Sequence, residues 1–80
     1  MTGIQSKRKI ITLDCREMAP PEPLVKVLET LNTLAHDEAL LMIHRKRPNL
    51  LFPRLDELGF SHEIKEEDES VIKLLIWKGD

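Results

Sequence analysis

The six residues ALLMIH, from Ala39 to His44, form an almost unbroken apolar run that ends on a histidine. Such a run is typical of a central strand that is covered on both sides or flanked by other strands. The rest of the chain must therefore supply neighbouring strands and a covering layer.

Two amphipathic segments precede this run. KIITLDC alternates between an apolar face, with Ile11 and Leu13, and a more polar face that carries Thr12 and Asp14. Period-two alternation predicts a first strand. The segment after it has apolar residues at helical spacing, which predicts a helix with one stripe packed on a sheet. The stripe consists of Leu24, Val27, Leu28, Leu31 and Ala35.

The segments after ALLMIH predict one more helix and two more strands. A second helix is expected at about 49–58, with a kink or a late start because Pro53 lacks an N–H and its ring clashes in a helix interior. Gly59 supplies the left-handed residue that ends this helix. FSHEIKE then alternates as a third strand, and VIKLLIWK follows a short turn as a fourth strand, antiparallel to the third.

The resulting order, βαβαββ, predicts an α/β (α+β) fold. Because strand-helix-strand crossovers are right-handed, both helices should cover one face of a four-stranded mixed sheet, giving a two-layer sandwich. Thr12, Lys65 and Lys73 are expected on the other face. Leu75 and Trp77 share the phase of Lys73, so they form either a partner surface or, in the case of Trp77, a shield for the strand's edge.

Length and composition narrow the class of protein. Eighty residues predict one domain over 1–80, with an ordered core of about 8–78. The net charge of −2 argues against a nucleic-acid binder. The single cysteine excludes an internal disulfide and favours a reducing compartment. MTGIQSKRK is not a secretory signal, and no apolar run approaches the roughly 20 residues of a membrane helix. We therefore expect a cytoplasmic protein with no membrane segment.

LDCREMAPPEPL and HRKRPNLLFPRLDELGF together carry a resemblance to a known superfamily. The chain resembles the TusA/SirA superfamily of small sulfur carriers, and specifically an uncharacterised TusA-like branch, from Ile10 to Trp77. The resemblance implies the same two-layer βαβαββ sandwich. It also implies a Cys-Pro-x-Pro motif where the first strand runs into the first helix. Here that motif is Pro20-Pro21-Glu22-Pro23, so Pro20 replaces the carrier cysteine and no persulfide can form there.

The PPEP segment still has the features of a helix start. Pro21 or Pro23 presets the backbone for a first helical turn, and Glu22 lies favourably near the positive end of the helix. Two interpretations remain open. The segment either only begins the helix and fixes its angle, or it binds a ligand through the N–H groups beyond the prolines.

Cys15 and His44 should lie near each other, because the ends of parallel strands meet at one edge of the sheet, where open α/β sheets place ligands. Cys15 is either a small buried hydrophobe or a relocated carrier thiol helped by Arg16. Cys15, Glu22 and His44 are chemically able to bind zinc or iron, but their spacing matches no metal motif. We predict no metal and no cofactor.

HRKRP, from His44 to Pro48, places three cations before the second helix, where the helix dipole favours an anion. Arg45 and Arg47 are therefore candidate anion ligands, and the alternative is a solvated charged loop. The acidic segment 63–69 is expected to be solvated, although it could meet the basic loop of another copy in a homo-oligomer.

The favoured function is a non-catalytic binding or protein-interaction module that docks a protein or a small anion through PPEP and HRKR. The alternative is a sulfur carrier or redox protein that uses Cys15. RNA binding is the weakest hypothesis, since few aromatic residues could stack on bases. No catalytic group can be assembled from the spacing. The candidate ligand-binding residues are Cys15, Arg16, Glu22, His44, Arg45 and Arg47.

Overall fold

The structure is a computed structural model that describes residues 8–79. The element order is βαβαββ, as predicted. The segment MTGIQSKRK, for which no secretory signal is predicted, lies mostly outside the described residues. The elements are β1 Lys9–Asp14, α1 Glu22–Asn32, β2 Glu38–His44, α2 Leu51–Leu58, β3 Phe60–Glu67 and β4 Ile72–Lys78.

The four strands form one mixed sheet in the order β1-β2-β4-β3. β1 is parallel to β2, whereas β4 runs antiparallel to both β2 and β3. The run ALLMIH therefore lies in an interior strand, between β1 and β4. This position explains why β2 is apolar on both faces, and it confirms the interpretation of the run as a central strand.

Both helices pack on one face of the sheet, which confirms the predicted two-layer architecture. Leu40 pairs with Ile76, and both are fully buried beneath the helices. Cys15 belongs to the same apolar cluster, as the phase of β1 predicted. The buried members of this core are Cys15, Val27, Leu31, Leu34, Leu40, Met42, Leu51, Leu55, Leu74 and Ile76.

The prolines of PPEP determine how α1 begins. The helix starts at Glu22, directly after Pro21, and Pro23 is buried in its first turn. The carbonyl of Pro21 accepts a bond from the N–H of Val25 over 3.2 Å. The N–H groups at the start of a helix have no partner within the helix, and Pro21 and Pro23 have no N–H. These prolines therefore make the start of α1 rigid without the loss of a hydrogen bond.

α2 begins at Leu51, about two residues later than the sequence pattern indicated. Pro53 is thereby the third residue of the helix, where an N–H would lack an intrahelical partner in any case. The late start thus accommodates the proline. Gly59 adopts a φ of 82° and ends the helix, as predicted.

The face of the sheet opposite the helices is partly apolar. Thr12 pairs with Leu41, and Leu41 pairs with Leu75, so these three side chains cross that face in one row. Lys73 lies on the same face, as predicted, whereas Lys65 falls at a bulge between Ile64 and Glu66.

Leu75 and Trp77 are half-buried on this face. The guanidinium of Arg8 lies 5.8 Å from the centre of the Trp77 ring, within cation–π range. Among the described residues, none of the helices has the length and apolarity needed to cross a membrane.

Candidate functional site

A pocket of about 320 Å³ opens where the starts of α1 and α2 meet the end of β2. This is the edge at which the PPEP and HRKR segments were expected to lie together. The size is at the low end for ligand pockets, which suits one side chain or a small fragment better than a large cofactor. Its lining consists of Pro20, Pro21, Pro23, Leu24, Met42, His44, Lys46, Arg47, Pro48, Asn49, Leu50 and Leu51.

The lining of the pocket is mainly apolar. The prolines of PPEP contribute ring carbons and no N–H donors, and Met42 and Leu51 contribute side chains that are almost fully buried. Leu50 also lines the pocket, yet 76% of its surface is exposed. An exposed leucine at the mouth of an apolar pocket provides further surface for a partner to cover.

His44 is a polar side chain in this apolar lining. Its Nδ1 atom is buried and has no hydrogen-bond partner within residues 8–79. Burial lowers the pKa of His44, the charges of Lys46 and Arg45 lower it further, and the backbone of Cys15 acts in the opposite direction. The imidazole is therefore neutral at pH 7, with a buried nitrogen that lacks a hydrogen bond within the described residues.

The cations of the HRKRP loop are largely engaged within the chain. Arg47 donates to both carboxylate oxygens of Glu67, over 2.8 and 2.9 Å. This ion pair raises the pKa of Arg47 and lowers that of Glu67. Arg45 donates to the carbonyl of Arg16 over 2.8 Å and lies 3.3 Å from a carboxylate oxygen of Glu17.

Lys46 differs from its two neighbours, because it has no ion-pair partner within residues 8–79. The turn before α2 also uses some of its N–H groups internally. Asn49 donates to the carbonyl of Arg47, and Leu51 donates to that of Pro48. Anion binding by this loop stays a prediction, and Lys46 is the cation whose charge is best placed to contribute.

Cys15 lies in the core and has no exposed surface. Burial raises the pKa of its thiol, and the charges of Asp14 and Glu22 raise it further. The thiol is therefore protonated at neutral pH, whereas a sulfur carrier needs an accessible thiolate. Cys15 adjoins His44 through the β1–β2 pairing, as expected, but it does not line the pocket.

Arg16 and Glu22 lie outside the pocket. Arg16 forms a two-point ion pair with Asp14, over 2.9 and 2.7 Å, and this pair lowers the pKa of Asp14 to about 2. Glu22 is an exposed first residue of α1, between two prolines that do line the pocket.

Within the described part of the chain, no three His, Cys, Asp or Glu side chains are grouped closely enough to hold a metal ion.

Sequence reasoning located two of the segments around the pocket and missed its apolar character. The sequence pattern predicts only a strand at Met42 and only a helix at Leu50 and Leu51. The local sequence offers one signal, which is the pair of leucines that follows the cations, Pro48 and Asn49. The convergence of these segments on one pocket depends on the sheet topology.

Comparison with solved structures identifies a protein with the same fold. A crystal structure of a SirA-like protein from Desulfitobacterium hafniense superposes with a TM-score of 0.72 at 22% sequence identity. The match covers 89% of this chain and 99% of that one. The chain therefore has the SirA-like fold, which confirms the architecture that the resemblance implied.

Residues 12–78 match the family described as "Uncharacterized conserved protein (DUF2249)". The chain belongs to that family. An uncharacterised family with a SirA-like fold agrees with the predicted uncharacterised branch of the superfamily. No curated protein gives a significant match.

Proposed function

We propose that this protein is a non-catalytic binding module whose proline-lined pocket receives an apolar side chain of a partner protein. The observation that carries the proposal is the position of an apolar pocket at the strand ends, in the place where the PPEP segment has no thiol. The SirA-like scaffold supports a role built around this edge of the sheet.

The polar groups around the pocket define the partner more closely. Lys46 lines the pocket and has no ion-pair partner within residues 8–79, and His44 has an unpartnered ring nitrogen nearby. Arg47 also lines the pocket but is paired with Glu67, so Lys46 contributes the unpaired positive charge, which favours a carboxylate next to the apolar side chain. The partner segment is therefore an apolar residue flanked by an acidic one.

The alternative, a carrier or redox role for Cys15, has no support from the geometry. The thiol is fully buried and its pKa is raised. Transfer would require Cys15 to leave the core. The buried thiol instead contributes to the packing beneath α1.

A matched pair of variants tests the proposed binding role. Leu50→Glu places a charge at the mouth of the pocket, and Leu58→Glu places one at the other end of α2. The two leucines are 76% and 58% exposed, so neither change should disturb the core. Affinity capture from the host's extract should recover a partner with the wild type and Leu58→Glu, but not with Leu50→Glu. Equal capture by all three proteins would contradict the proposal.

A further inference from the structure

The outer edge of β1 is an unpaired strand edge within the described residues. β1 ends the sheet on one side, and it pairs only with β2. The N–H groups of Lys9 and Cys15 both point toward β2, where they donate to Asp37 and Ile43 over 2.8 and 2.7 Å. Because successive residues of a strand alternate, Ile10, Thr12 and Asp14 point their N–H and C=O groups away from the sheet.

The two edges of the sheet differ in how they are protected. β3, at the opposite edge, carries a bulge between Ile64 and Glu66 and is rich in charged side chains. Bulges and charges are the features by which natural sheets prevent edge-to-edge pairing. β1 pairs with β2 in an unbroken register, contains neither a bulge nor a proline, and carries its charged residues, Lys9 and Asp14, only at its two ends. Ile10 on this strand is 50% exposed.

We infer that a second copy of this chain pairs with the outer edge of β1, antiparallel, in a register centred on Ile11. The two copies would form one continuous eight-stranded sheet, with all four helices on the same side. This oligomer is independent of the pocket and of the function proposed for it.

The register follows from geometry and charge. Outward-pointing residues must face outward-pointing residues of the second copy, so the register is centred on a residue of β1, and the two registers with the longest overlap are centred on Ile11 and Thr12. Centring on Ile11 sets Ile10 opposite Thr12 of the second copy and Arg8 opposite its Asp14. Centring on Thr12 sets the apolar Ile10 opposite the carboxylate of Asp14 instead. The charges therefore select the first register.

Arg8 must change its side-chain conformation to join this pairing, because its guanidinium lies over Trp77 of β4 and its Nε donates to the carbonyl of His36 over 3.2 Å, both on the inner side of β1. The side chain of Asp14 already lies on the face opposite the helices, as its pairing with Ile43 shows. Asp14 and Arg16 are each about half exposed in their ion pair. A carboxylate has four lone-pair sites, so Asp14 can accept from Arg8 of the second copy and keep its bonds to Arg16.

A charge-reversal experiment tests both the partner and the register. Arg8→Glu and Asp14→Arg each place like charges opposite one another at both ends of the ladder, so each variant alone should be monomeric. An equal mixture restores both opposite-charge pairs, so it should form a heterodimer. Sedimentation velocity of the wild type, the two variants and their mixture measures this directly, and circular dichroism confirms that each variant is folded.

A second pair of variants keeps the test decisive if a charge reversal fails to fold. Thr12→Pro removes an outward N–H that makes no bond within the sheet, and edge strands tolerate proline at such positions. It should be monomeric, whereas Thr12→Val should dimerise like the wild type. Two results would overturn the inference: a wild type that stays monomeric up to about 1 mM, or a mixture of the two charge variants that is no more associated than each variant alone. The edge of β1 would then be available for pairing with a strand of another protein.

Discussion

The N–H of Cys15 donates to the carbonyl of Ile43 over 2.7 Å. This bond extends the β1–β2 ladder one residue beyond the end of β1 and keeps Cys15 in the phase of Ile11 and Leu13. The thiol therefore points into the core beneath the helices. Its position favours the interpretation of Cys15 as a buried apolar side chain.

Cys15 should be unreactive in the folded protein. Burial excludes reagents and holds the thiol in its protonated form, so alkylation by iodoacetamide should be slow in buffer and rapid in denaturant. Mass spectrometry of both samples measures the labelled fraction. Rapid alkylation of the native protein would show that the thiol is accessible and would revive the carrier hypothesis.

The same burial predicts a loss of stability at alkaline pH. Because the pKa of Cys15 is raised on folding, the stabilisation is fully present below the pKa of the unfolded thiol. It is lost as the pH rises through the higher pKa of the folded state. Cys15→Ala should lack this component of the pH dependence, which urea unfolding at a series of alkaline pH values would reveal.

His44 should destabilise the fold when the pH falls below neutral. Its pKa is lowered on folding, so the unfolded chain takes up a proton before the folded chain does. Stability should decline from the unfolded pKa of histidine down to the folded pKa, with a slope of at most about 1.4 kcal/mol per pH unit. His44→Phe should remove this slope. An NMR titration that placed the pKa of His44 above that of a model histidine would contradict the assignment.

Leu40 and Leu41 are adjacent in β2 and point to opposite faces of the sheet. Leu40 is fully buried under the helices, whereas Leu41 is only partly buried on the other face. Leu40→Ala should therefore cost about 2–5 kcal/mol of unfolding free energy, and Leu41→Ala should cost markedly less. Urea unfolding of the two variants measures the difference, and equal costs would argue against the register of β2.

Most of the fold could be predicted from the sequence, because it depends on local signals. The apolar run from Ala39 to His44 marks an interior strand, and Gly59 marks the end of α2. The start of α2 depends on more than local signals, since Pro53 alone is compatible with either a kink or a late start. The half-buried positions of Leu75 and Trp77 follow from the alternation of β4.

The candidate site was less predictable, because its contacts join residues that are far apart in sequence. Arg47 is bound by Glu67, 20 residues away, and Arg45 by Glu17, 28 residues away. No local pattern reports these ion pairs. Arg45 and Arg47, which the sequence presents as available cations, are thus bound within the chain. The pocket is therefore mainly apolar.

The most direct test of the pocket is an NMR titration of ¹⁵N-labelled protein with 8-anilinonaphthalene-1-sulfonate, whose apolar rings carry one anionic group. The account predicts that the amide signals of Met42, Lys46, Leu50 and Leu51 shift, and that Leu50→Glu abolishes the effect while Leu58→Glu preserves it. Shifts confined to Leu41, Leu75 and Trp77, on the opposite face of the sheet, or no binding at all would contradict the assignment of the pocket as the binding site.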